Sequence, residues 1–114
     1  MSEVFHITTR PLWEAARASG EYRGETLETE GFIHASDDRQ LLDTANRFYR
    51  SVDDLIVLRI DTDRLHSRLV REPAAGRDEL FPHIYGPIHV DAVMETIPLV
   101  ADEQGIFQSL PVET

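Results

Sequence analysis

Three pairs of side chains in this sequence have the types and spacing that binding or chemistry at a ribose or phosphate uses. His6 and Thr8, His34 and Ser36, and His83 and Tyr85 each stand two residues apart. Side chains two apart in an extended strand emerge on the same face. Imidazoles and hydroxyls hydrogen-bond ribose, arginine meets phosphate, and a carboxylate stabilises a developing cation. Arg71 and Glu72 supply the last two groups side by side. Plainer readings stand beside these: Ser36 as a helix N-cap, Tyr85 as a packing residue, and Glu72 as a solvated strand end. His66 and His89 are assigned to the surface. No metal site is expected, because neither His-x-His nor His-x-x-x-His spacing occurs.

Composition removes several kinds of chemistry. Cysteine is absent, which excludes disulfides, thiolate metal sites and cysteine nucleophiles. All 11 cationic side chains are arginine, so neither a Schiff-base lysine nor a phosphate-loop lysine is available. Against these stand 21 carboxylates, for a net charge of −10 at pH 7. That balance argues against capture of nucleic acid or of an anionic membrane, both of which need a cationic face. Any phosphate must be met locally, with Arg10, Arg59 and Arg71 the first places to look. The first residues lack a signal pattern, and no apolar run approaches the roughly 20 residues of a membrane span. A cytoplasmic protein is expected. The 114 residues suit one domain, with its core over about residues 4–99 and a peripheral tail over 100–114.

The elements that must position these groups follow from patterning. Val4 to Thr8 reads as a short strand, and Pro11 to Ser19 as a helix with proline in its first turn and Gly20 to stop it. Tyr22 to Glu30 is polar and reads as a loop. Gly31 to Ser36 reads as a second strand running into a helix from Asp37 to about Arg50, with a capping-box spacing from Asp37 to Gln40. Leu55 to Ile60 is nearly all apolar, as in a central strand covered on both faces. Leu69 to Glu72 reads as another strand, stopped by Pro73. Phe81 to Ile88 is extended, and its two prolines confine it to a sheet edge or an irregular strand. Val90 to Leu99 forms a last strand. If the first two strands are neighbours, His6, Thr8, His34 and Ser36 line one polar patch above the core. Short strands with two principal helices make an α+β domain.

Taken together, Phe5-His6-Ile7-Thr8-Thr9, Trp13 and Ala16, Glu30-Gly31-Phe32-Ile33-His34-Ala35-Ser36, Ala45-Asn46-Arg47-Phe48 and Phe81-Pro82-His83-Ile84-Tyr85-Gly86-Pro87-Ile88 resemble the bacterial domain-of-unknown-function family 952. The resemblance covers residues 4 to 99. It implies an ADP-ribosyltransferase-like split, mixed β-sheet whose cleft holds NAD as co-substrate. The stretch from Ile33 to Asp61 is similar to a region of NAD-dependent RNA 2′-phosphotransferases, although the charge of −10 argues against RNA as a substrate.

The roles implied by the resemblance are as follows. His6, supported by Thr8, would bind a ribose hydroxyl, and His34 with Ser36 would orient the nicotinamide half or a phosphate. Glu72 would stabilise the oxocarbenium-like ribose left by nicotinamide. The Phe81 to Ile88 segment competes for the strand of the family-wide glutamate, and would then present Tyr85. His6, His34, Glu72 and Tyr85 are therefore the expected catalytic residues, and Thr8, Ser36, Arg71 and His83 the expected cofactor-binding ones. The implied activity is NAD-dependent ADP-ribosyl transfer or hydrolysis on a small molecule or protein. A non-catalytic nucleotide- or metabolite-binding domain, or an interaction module without a ligand, are the alternatives.

Overall fold

The computed structural model describes residues 2–74 and 76–108. The chain opens with β1 (Glu3–Thr9) and α1 (Arg10–Ser19), then β2 (Glu21–Tyr22) and α2 (Thr26–Glu30). After β3 (Ile33–His34), a 3₁₀ turn at Asp38–Gln40 leads into α3 (Leu41–Phe48). Five strands complete it: β4 (Leu55–Asp61), β5 (Arg68–Pro73), β6 (Leu80–Tyr85), β7 (Ile88–His89) and β8 (Val93–Pro98). This is an α+β arrangement.

Two three-stranded sheets, ordered β1-β4-β8 and β3-β6-β5, are accompanied by a β2-β7 ribbon. Every pairing among the described strands is antiparallel, so the mixed sheet expected above is not what forms. The sheets are joined through the backbone where Phe5 and Ser36 exchange hydrogen bonds of 2.8 and 2.7 Å.

Strand β4 is central and covered on both faces, as its sequence demands. Ile56, Leu58 and Ile60 enter a cluster with Val4, Trp13, Tyr22, Ile33 and Ile84. Leu55 and Val57 pack on the other side with Phe5, Ile7, Leu41 and Ala45, beneath α3. Helix α1 ends where Gly20 takes a left-handed conformation and donates to the Ala16 carbonyl at 2.8 Å. The Asp37 N–H donates to the Gln40 side chain at 2.9 Å, completing the capping box.

Several local expectations change. Tyr22 to Glu30 is not a loop: it holds β2 and the five-residue α2, too short to carry a periodic signal. Strand β6 is the middle strand of its sheet despite Pro82. The Pro82 carbonyl accepts from Ala35 N–H at 3.0 Å, and proline cannot donate back. The ladder to β3 ends there, and the next residue, Ser36, has already turned to Phe5. A proline in a central strand is tolerated because its partner leaves.

The segment after Val100 is not wholly peripheral. Phe107 is 3% exposed within the α3-side cluster, and its backbone N–H and carbonyl are both held by the Asn46 side chain at 2.8 and 2.9 Å. The tail residues 109–114 lie outside the described residues. Removing a buried phenylalanine ring costs about 3 kcal/mol or more. Phe107→Ala should lower the urea midpoint accordingly, and a loss under about 1 kcal/mol would show that the segment only rests on the surface.

Candidate functional site on the outer face of the β3-β6-β5 sheet

Strand alternation separates the predicted residues into two groups. In β1 the odd side chains Phe5 and Ile7 face α3, so His6 and Thr8 face the larger apolar cluster with Val4. In β3 and β6, Ile33 and Ile84 face that same cluster. Their neighbours His34 and His83 are directly opposed in the ladder and face outward. The polar patch expected from His6, Thr8, His34 and Ser36 is therefore not formed. Adjacent strand ends are joined, but their side chains leave on different faces.

His6 is a buried relay rather than a surface group. Its Nδ1 lies 2.6 Å from the His34 backbone carbonyl and its Nε2 lies 2.8 Å from the Tyr22 hydroxyl. Burial dominates its titration and lowers its pKa to about 4, so the ring is neutral at pH 7. A carbonyl only accepts, so Nδ1–H donates to it, and Nε2 must accept the single Tyr22 proton. The Thr8 hydroxyl, 2.8 Å from Tyr22 Oη, then donates to Tyr22. Burial pushes the Tyr22 hydroxyl up to about 12, which keeps that proton in place. Ser36 is also buried, its hydroxyl 3.3 Å from that of Thr44. Tyr22 was invisible as a partner from sequence because its segment carried no strand pattern.

The outward group is a real cluster. On β5, Arg68, Val70 and Glu72 share the face of Phe81, His83 and Tyr85 on β6. Glu72 Oε1 accepts from His83 Nδ1 at 2.9 Å and from the Tyr85 hydroxyl. The Tyr85 hydrogen bond first, and that of His83 second, hold the Glu72 carboxyl below the usual range. The same Glu72 contact raises Tyr85. His34, half-exposed, bonds Glu30 at 3.0 Å across one turn. Phe32 lies nearly parallel to the His83 ring, 4.0 Å between centroids, and also meets His34 and Tyr85 at 4.8 and 5.3 Å. Phe32, whose parity with His34 was legible but whose role was not, is the hub of this aromatic patch. Gly86 follows Tyr85, and a Cβ there would stand 2.4 Å from Ser67 Oγ, so β6 can end only on glycine at this point.

The arginines sort themselves by pairing. Arg10 is held by Asp54 and Arg59 by Glu3 and Glu95. Arg71 faces away from Glu72 and meets Asp37 at 2.8 Å, so it stands off the face that carries Glu72, His83 and Tyr85. Among the described residues, only Arg50 and Arg68 have no carboxylate within ion-pair distance. Arg50 holds the Gln104 and Gly105 carbonyls. Arg68 stands on the outer face, its guanidinium carbon 6.0 Å from the Tyr85 ring centroid. It is the cation that sequence reasoning missed, since only the fold shows which arginines are already neutralised.

Among the described residues, no three histidine or acidic side chains converge as metal ligands. An open depression of about 360 Å³ lies elsewhere, beside Arg10, Asp54, Leu99 and Phe107, and contains none of the clustered groups. Among the described residues, no helix is long and apolar enough to cross a membrane.

Residues 7–96 match the model of a family described as protein of unknown function, DUF952. The chain belongs to the DUF952 family. The crystal structure of CC0527 from Caulobacter crescentus is similar to this DUF952 chain at 31% identity over 94% of both, with a TM-score of 0.84. The solution structure of CC0527 gives 32% identity over 95% of this chain and 93% of that one, with a TM-score of 0.80. No curated protein matches.

The buried relay makes a prediction about acid. The His6 pKa is lowered to about 4 in the folded chain against about 6.5 unfolded. The unfolded state therefore binds the extra proton, and stability falls as pH drops from about 6.5 to 4. The loss is about 3 kcal/mol. Urea unfolding of His6→Gln between those pH values should show a slope shallower by that amount. Equal slopes in both proteins would contradict a neutral buried imidazole.

Proposed function

We propose that the outer face of the β3-β6-β5 sheet binds NAD and breaks its bond between nicotinamide and ribose, passing ADP-ribose to a small molecule, a protein or water. The observation that carries this reading is an ionised carboxylate gripped by two donors and bordered by aromatic rings. Loss of nicotinamide leaves positive charge on the ribose, and a fixed carboxylate lowers the barrier by meeting that charge as it develops. Among the described residues Glu72 Oε2 accepts no hydrogen bond, so one oxygen remains for the ribose while Oε1 is held by His83 and Tyr85.

The neighbouring groups supply the rest of what such a ligand needs. Phe32 and Tyr85 offer flat apolar surface for a nicotinamide or adenine ring. His34, half-exposed beside them, reaches a ribose hydroxyl. Arg68 meets a phosphate. On this reading the two three-stranded sheets are the halves of an ADP-ribosyltransferase-like split sheet, and the ligand lies on the half carrying Glu72. His6 and Thr8 act from beneath, through the His34 backbone, rather than by touching the ligand. RNA is disfavoured as an acceptor by the charge of −10.

A second reading, nucleotide binding without turnover, is favoured by the fact that Glu72 Oε1 is already engaged twice. Nicotinamide release separates the two. Incubated with NAD, the protein should release nicotinamide, and Glu72→Gln should slow release by about 10²- to 10³-fold. Saturable NAD binding with no release under any acceptor condition would favour the binding reading. Neither binding nor release would remove both.

A further inference from the structure

One nitrogen of this cluster has no partner among the described residues. The His83 side chain is 3% exposed, its Nδ1 is bonded to Glu72, and its buried Nε2 has no hydrogen-bond partner among the described residues. Leaving a buried polar atom unpaired is costly, and such atoms in folded proteins have a reason. Glu72 also accepts from Tyr85, so it is the ionised acceptor and the proton of the Nδ1 contact belongs to the imidazole. In the neutral ring the lone pair then sits on Nε2. A carboxylate that fixes the tautomer behind an imidazole is the arrangement of an oriented base.

We infer that His83 Nε2 is the proton acceptor of this site, taking the proton of a water or hydroxyl nucleophile, an inference that rests on the glycosyl-transfer reading. The nucleophile's oxygen bonds to C1′ of the nicotinamide ribose. The bond from C1′ to the ring nitrogen breaks, its electron pair leaving with nicotinamide, and the hydroxyl proton passes to Nε2. The acceptor class follows: a group with a proton to give up, such as an alcohol or water, and not a carboxylate. The rings packed on His83 belong to Phe32 and His34, at 4.0 and 5.3 Å between centroids. Phe32 is half-buried and His34 exposed, so the groups stacked on His83 are side chains that reach the surface.

His83→Asn tests this, because its amide N–H stands near the Nδ1 position and preserves the bond to Glu72 while the acceptor nitrogen is gone. Release of nicotinamide to water should fall about 100-fold, with the NAD dissociation constant unchanged within about twofold. Azide, a nucleophile with no proton to lose, should restore release in His83→Asn and not in Glu72→Gln. Release at the wild-type rate, or no response to azide, overturns the assignment. A second readout needs no turnover: long-range proton–nitrogen spectra of the wild type should show His83 protonated at Nδ1 and bare at Nε2, and the opposite tautomer overturns it. Absence of release from the wild type would remove the glycosyl-transfer reading and this inference together. Release that survives His83→Asn removes this inference alone.

Discussion

The chain just past β3 joins the two three-stranded sheets, and the rest of the molecule is arranged around that junction. Ile33 and His34 pair with β6, and within two residues the chain has turned to exchange hydrogen bonds with Phe5 of β1. The His34 carbonyl accepts from His6 on the way. A strand this short has little holding power of its own, so the His6 bond to the His34 carbonyl, with His6 held in turn by Tyr22 and Thr8, adds to the Phe5–Ser36 pair in tying it to β1. That tie sets where Phe32 and His34 stand above the sheet. Apolar Ile33 and Ala35 anchor the strand in the core, and the outward side chains inherit the position.

Electrostatics narrows the face further. A chain of net charge −10 repels anions at long range, so any anion it holds needs a cation that is not already neutralised. Most arginines are ion-paired, including the three that sequence alone put forward for phosphate. Arg68 stands apart, beside the carboxylate and the aromatic rings. The acidic balance disfavours a polyanion, and among the described residues it leaves Arg68, with Arg50, outside any ion pair.

Much of this was legible in the sequence, and the failures have identifiable causes. The first strand, both principal helices, the capping box and the central strand at Leu55 follow from periodicity, caps and apolar runs that burial then satisfies. Glu72, His83 and Tyr85 were singled out by type and spacing, and the fold brings them into contact. His6 and His34 were placed on one patch because alternation reveals which residues share a face of a strand but not which way that face looks. Register decided it, through the pairing of Ile33 with Ile84. Pro82 suggested an edge or an irregular strand because one strand's sequence does not say where its neighbour departs. Tyr22 and Arg68 went unseen because each matters only through a partner distant in sequence.

The central claim is that the outer face of the β3-β6-β5 sheet holds a nucleotide. Amide chemical-shift mapping during a titration with NAD tests it most directly. Saturating shifts confined to the backbone around Phe32, His34, Arg68, Glu72 and Tyr85 are the predicted result. No shifts at millimolar NAD, or shifts centred on the depression beside Arg10, Asp54 and Phe107, would contradict it.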